Sequence, residues 1–155
     1  PEILIPVCAP SYLACFEELG VAPTLIDLSG SPTDWFSYFP SLVAQAQRGG
    51  NRLVLSDYAV VLQAATIGQG IAVGWLNVAS KWLTRGDLVP LGSSAVRTDR
   101  LCYLVEPRSR PSRTAVRDIR DWILEHMWAD VALVDRMYPE LRVQSLAREV
   151  FSQQA

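Results

Sequence analysis

The sequence predicts an α/β domain whose mostly parallel sheet is flanked by helices. Three observations lead there. Short runs of aliphatic and β-branched residues alternate along the chain with stretches of helical periodicity. One run, Ile71-Ala72-Val73-Gly74-Trp75, is apolar throughout, as strands buried on both faces are. The chain has 155 residues, half of them hydrophobic and 19% charged, which is enough apolar surface for a packed core and excludes intrinsic disorder.

Ile3-Leu4-Ile5-Pro6-Val7 reads as a short strand. Pro6 has no N–H for a ladder, so the strand is expected at an edge or to end early. Pro10 and Ser11 open a helix with Tyr12, Cys15, Phe16 and Leu19 on one face, and Gly20 stops it. Thr24-Leu25-Ile26-Asp27-Leu28 is a second strand, followed by the turn Ser29-Gly30-Ser31-Pro32. From Asp34 onward the aromatics Trp35, Phe36, Tyr38 and Phe39 crowd together. Their expected role is to pin a loop onto the sheet, with lining of a cleft as the other reading. A short helix from Pro40 to Gln47 ends at Gly49-Gly50, and Arg52-Leu53-Val54-Leu55 is the third strand. Ser56 is expected to cap a helix from about Asp57 to Ile67, with Val61, Leu62 and Ala65 inward. Gly68 and Gly70 end it, and the apolar run to Trp75 is the fourth strand. Asn77 is the expected cap of the next helix, which carries Val78, Trp82 and Leu83 inward and stops at Gly86. Leu88-Val89 and Leu101-Cys102-Tyr103-Leu104-Val105 read as further strands. After Pro107 and Pro111, Ser112 can cap a helix with Ala115, Val116, Ile119, Trp122, Ile123 and Met127 on one stripe. Two weaker helical patterns follow Trp128, separated by Pro139.

Charge narrows the function. The net charge is −2, and thirteen of the fourteen basic residues are arginine. An acidic chain is a poor nucleic-acid binder by itself, because phosphate affinity comes mostly from Lys and Arg. The locally basic stretch from Arg97 to Arg120 is expected to be a solvated loop and helix face. No run approaches the roughly 18 apolar residues of a membrane helix. The opening Pro1-Glu2-Ile3-Leu4 lacks the shape of a signal peptide and reads as the start of a fragment. Cys8, Cys15 and Cys102 are odd in number and irregular in spacing, which fits buried reduced thiols of a cytosolic protein. With His126 as the single histidine, no metal set and no Cys/His catalytic pair is supported. Gly68-Gln69-Gly70 follows a helix and precedes a strand, the reverse of a phosphate loop. No catalytic constellation and no cofactor motif is visible.

A binding site is better supported. In open α/β sheets ligands sit beyond the carboxyl ends of strands. That singles out Cys8 to Ser11, Ser56 to Tyr58, and Gly74-Trp75. Ser56 and Asp57 stand at a helix N-terminus, where free N–H groups can hold an anionic group, unless Ser56 only caps its own helix. Tyr58 and Trp75 can wall the same crevice or pack in the core. Together they also suit a cage for a quaternary ammonium ion.

The segments in series resemble one family. Ile5-Pro6-Val7-Cys8-Ala9-Pro10-Ser11-Tyr12-Leu13 is similar to the strand and turn entering the second half of the effector domain in LysR-type transcriptional regulators. Ser56-Asp57-Tyr58, then Leu62-Gln63-Ala64-Ala65-Thr66-Ile67-Gly68-Gln69-Gly70-Ile71-Ala72-Val73-Gly74-Trp75, resembles that family's "AA..G.GIA" segment. Leu83 to Leu91, containing Arg85-Gly86-Asp87-Leu88-Val89-Pro90-Leu91, resembles its "L..G.LV.PL" stretch. Tyr103-Leu104-Val105-Glu106-Pro107 and Asp121-Trp122-Ile123 resemble its "YLV.P … F.DWL" close. Ala9 stands where the family commonly has serine, and Ile119 near where it often has phenylalanine.

The resemblance implies a type 2 periplasmic-binding-protein-like fold of two α/β halves joined by crossing strands, with the first half incomplete here. It implies a second half-domain over residues 1–100, a return segment over 101–126 and a helical tail over 127–155. It implies a small-molecule effector held between the halves, with contacts from Pro10, Ser11, Ser56, Asp57, Tyr58, Gly74 and Trp75. DNA would be read only through an N-terminal helix-turn-helix that this chain lacks, by a homo-oligomer in the cytoplasm, without a membrane or a cofactor. An apolar edge left uncovered would favour self-association. The competing readings are an extracytoplasmic solute-binding protein of the same fold and, more weakly, an enzyme of similar architecture.

Overall fold

A computed structural model describes residues 1–20, 22–30, 35–105 and 114–148. Ser31, Pro32, Asp34, Glu106, Pro107, Arg108, Arg110, Pro111, Ser112, Arg113 and the last residues of the tail lie outside the described residues. The elements run β1 (Ile3–Cys8), α1 (Pro10–Leu19), β2 (Thr24–Leu28), α2 (Pro40–Ala46), β3 (Asn51–Leu55), α3 (Tyr58–Thr66), β4 (Ile71–Trp75), α4 (Leu76–Arg85), β5 (Val89–Pro90), β6 (Val96–Arg97), α5 (Thr114–Met137) and α6 (Val143–Arg148).

The strands form one sheet in the order β3-β2-β4-β1-β5, with β6 also beside β1. β2 runs parallel to β3 and to β4, whereas β1 is antiparallel to β4, β5 and β6. Five strands therefore point one way and β1 points the other. Alternation along β1 divides the core. Ile3, Ile5 and Val7 join Val61, Leu62, Leu76, Leu83, Val131, Val134 and Val143 on the face covered by α3 to α6. Leu4 and Cys8 join Leu25, Phe36, Phe39, Leu42, Ile71 and Val73 on the face covered by α1 and α2. Phe36 and Phe39 are buried and Tyr38 packs against them, so this part of the aromatic cluster does pin its segment to the sheet.

Several expectations change. Pro6 lies in a central strand, not an edge one. Its carbonyl accepts from Leu91 N at 2.8 Å, so its ring nitrogen, which has no hydrogen to donate, faces the β5–β6 border. Pairing to β1 is interrupted there between Pro90 and Val96, and the missing donor leaves little unpaired. Leu101 to Val105 form no strand and are exposed, Val105 at 87%, because none of the described strands lies beside them. Asn77 sits inside α4, where its amide reaches Cys102 Sγ at 3.9 Å, and Trp75 holds the cap position. Gly86 closes α4 in the left-handed conformation with φ 77°. Among the cysteines only Cys8 is buried, its thiol pushed up to about 11 by desolvation and then by Glu17, while Cys15 and Cys102 are exposed.

α5 divides into two parts. Its second half packs Val131 and Val134 into the core. Its first half keeps the expected stripe but leaves it uncovered, with Ile119 59% and Trp122 58% exposed. His126 is exposed within this helix, and its ring lies against Trp122 with centroids 4.1 Å apart and planes tilted by 39°. Within the basic stretch, Arg120 pairs with its neighbour Asp121 at 2.8 Å on the surface.

Candidate functional site

The antiparallel setting of β1 decides which candidates meet. Leu28, Leu55 and Trp75, the last residues of β2, β3 and β4, end at one edge of the sheet. Leu4 pairs with Trp75 and Val7 with Ala72, so the start of β1 lies at that edge and its end at the other. Ser56, Asp57, Tyr58, Gly74 and Trp75 therefore gather at one end. Pro10 and Ser11, which follow β1, are exposed at the opposite end. There the nearest neighbour of Gly68 is Ser11, whose Oγ lies 3.7 Å from the position of a Cβ built on that glycine. The expectation had assumed that β1 points the same way as its neighbours.

The cap of α3 is Asp57, not Ser56. Asp57 Oδ1 accepts from Ala59 N at 2.7 Å and from Val60 N at 3.3 Å. The free N–H groups expected to hold an anion are thus met by the chain's own carboxylate, and its negative charge opposes a second anion. Ser56 is exposed beside it.

Tyr58 is a strut between α3 and β4. The β2–β4 ladder ends at Ala72. Beyond it the Tyr58 hydroxyl accepts from Trp75 N at 2.6 Å and donates to Val73 O at 3.2 Å. Burial raises its pKa above the ordinary phenol value; the Trp75 N–H bond opposes this, and the charge of Glu2 adds to it. The phenol is a neutral donor throughout the physiological range. The indole Nε1 of Trp75 is buried without a hydrogen-bond partner.

Gly74 serves packing. A Cβ there would lie 3.1 Å from Ala79 Cβ, 3.1 Å from Val7 Cγ1 and 3.2 Å from Ile5 O. Gly74→Ala is expected to cost about 1 kcal/mol through overpacking, read as a lower urea midpoint with an unchanged slope. An equally stable variant would show that α4 can move away from β4.

Glu2 was missed by the sequence reading. It is 6% exposed and sits at the same end, one strand position beyond Ile3. Its Oε2 accepts from Thr98 Oγ1 at 2.7 Å, and Thr98 Oγ1 accepts from Arg100 N at 3.1 Å. Glu2 N donates to Arg100 O at 2.9 Å, and Thr98 N donates to Glu2 O at 3.0 Å. The signal was available: Glu2, Leu4, Pro6 and Cys8 share one face of a wholly buried strand, so a carboxylate at its head is out of place.

Hollows of about 410 Å3 and about 340 Å3 lie elsewhere, along α1 and α2, and share Phe16 and Gln45. Among the described residues no group of three or more His, Cys, Asp or Glu side chains is placed to hold a metal. No helix of the described residues is long and apolar enough to cross a membrane.

Residues 2–128 match the family profile described as the LysR substrate binding domain. The glycine cleavage system transcriptional activator of Escherichia coli strain K12 is 29% identical over 127 residues, covering 79% of this chain. The chain spans only 42% of the length of that relative. The effector domain of the transcriptional regulator AmpR of Pseudomonas aeruginosa superposes with a TM-score of 0.52 at 20% identity, over 83% of this chain and 63% of that one. The AmpR effector binding domain of Citrobacter freundii gives a TM-score of 0.47 at 19% identity, over 81% of this chain and 63% of that one.

Proposed function

Because the chain belongs to the LysR substrate binding domain family, we propose that it is the small-molecule-sensing part of a cytoplasmic DNA-binding transcriptional regulator, with no enzymatic activity. One observation carries the reading beyond the family. Ser56, Asp57, Tyr58 and Trp75 gather at the end of the sheet where Glu2 and Thr98 to Arg100 run side by side. Residues 1–100 then form one half of the sensor, 101–126 are the return segment to the other half, and 127–155 are the tail, whose residues Val131, Val134, Leu141, Val143 and Ala147 pack on the first. A ligand between the halves favours one relative orientation, and it shifts the population only by its difference in affinity for the two. The uncovered apolar residues Tyr103, Leu104, Ile119 and Trp122 suit burial against that other half. Copies associate in the complete regulator, for which Val54 on edge strand β3, with Val60 and Ile67 on and after α3, offers an exposed apolar surface.

The test is a footprint on the DNA flanking the gene, using the complete gene product. The expected result is salt-sensitive protection of a defined operator, absent for the 155-residue chain alone. A small metabolite should alter that protection. A complete product that protects no DNA and is exported would overturn the reading in favour of a solute-binding protein.

A further inference from the structure

Glu2 carries more than the joining of two segments requires. It is a carboxylate more than nine-tenths buried, and among the described residues its one side-chain hydrogen bond comes from Thr98 and no cation pairs with it. A buried carboxylate normally has a cation or several donors, because desolvating the charge is costly. Thr98 supplies a single neutral hydroxyl, whose own lone pair is taken by Arg100 N. No hydrogen bond to the second carboxylate oxygen comes from the described residues. The register places Glu2 at the sheet end that carries Trp75 and Tyr58.

We propose that Glu2 is a specificity-determining residue that receives the ammonium group of an amine-bearing effector, such as an amino acid or a small alkylamine. This rests on the effector-sensing reading above and narrows its ligand class. Two further observations agree with a cation. Asp57 has already filled the N-terminus of α3 at this end with its own negative charge, and the N-terminus of α4, capped by Trp75 without a side-chain bond, is the other one there. The charge of Glu2 also adds, after burial, to the raised pKa of the Tyr58 hydroxyl. An ammonium ion donating to the second carboxylate oxygen would supply the missing charge and a second, charge-assisted hydrogen bond.

The experiment is a thermal-shift and calorimetric panel on the complete gene product. The probes are α-amino acids, alkylamines and tetramethylammonium, each beside a neutral amide and a carboxylate of similar size. Amine-bearing members are expected to bind, and Glu2→Gln to weaken them at least about tenfold. Thr98→Val breaks the same clasp but keeps the carboxylate, so it is expected to retain amine binding within a few-fold. If Glu2 only ties the two segments together, both variants will act alike, and the inference is overturned. It is also overturned if only anions or neutral compounds bind, or if no amine does. Should Glu2→Gln fail to fold, the same comparison with Thr98→Val is made on Glu2→Met, which keeps the side-chain length and removes the charge. The operator footprint is read independently, so loss of the amine preference leaves the regulator reading standing, and loss of DNA recognition removes both.

Discussion

Ending the chain after Met137 is expected to abolish cooperative folding, although the family match stops well before that point, at residue 128. The tail is part of the core. Pro139 opens a 3-10 turn to Leu141, Arg142 takes a left-handed φ of 51°, and the chain reverses into α6. This reversal buries Leu141, Val143 and Ala147 in the cluster that also holds Ile3, Ile5 and Val7 of β1. Asp135 Oδ1 accepts from Gln144 N at 3.0 Å and fixes the start of α6 against α5. Burying one Leu and one Val contributes about 3–6 kcal/mol, before counting the strand surface they cover. A domain of this size has about 5–15 kcal/mol in total. Truncation should therefore give a broad, non-cooperative melt and binding of a hydrophobic dye. Val143→Asp in the full chain should destabilise comparably, since Val143 is fully buried and the cluster around it is apolar. A truncated chain that melts sharply near the parent temperature would show that α6 only rests on the surface.

The tail also marks where sequence reading stops. Its helical patterns and the break at Pro139 were legible, because local periodicity and a missing N–H are local properties. That α6 returns to β1 is a matter of tertiary packing, and no periodicity encodes it. β2, β3 and β4 were read nearly to the residue, since each is a short β-branched or aliphatic run between turn residues. Their order in the sheet was not, and this cost more at the site. A strand's direction leaves no trace in its own composition, so Pro10 and Ser11 were grouped with residues at the far end of the sheet. Pro6 misled in a similar way: a proline is excluded from a ladder only where a partner needs its N–H, and β5 and β6 leave that place open. At the head of α3, Ser56 and Asp57 are both good caps, and only the backbone geometry decides that Asp57 takes the role. The exposed stripe on α5 is a correct reading of amphipathicity whose buried partner is not among the described residues.

Tyr58→Phe is expected to lower the unfolding free energy by about 1–3 kcal/mol, the cost of leaving buried backbone groups without partners. The ring stays and only the hydroxyl goes. With it go the acceptor for Trp75 N and the donor for Val73 O, in the stretch of β4 that β2 no longer reaches. Urea denaturation at neutral pH reads this as a lower midpoint with the same slope. A second axis identifies the hydroxyl as the cause. Burial first, and the charge of Glu2 in addition, raise the folded-state pKa of Tyr58 above the ordinary phenol value of about 10. The unfolded chain therefore releases this proton first, so the parent keeps the full contribution below about pH 10 and loses it as the pH rises towards the folded value. The phenylalanine variant has no such proton. The stability gap between the two should shrink above about pH 10, while losses from Cys8, common to both, cancel. A gap that stays constant through that window would mean that the hydroxyl titrates alike in the folded and unfolded chain, against its burial at α3 and β4. A variant as stable as the parent would mean that the backbone does not depend on this hydroxyl, which would leave it available to a ligand.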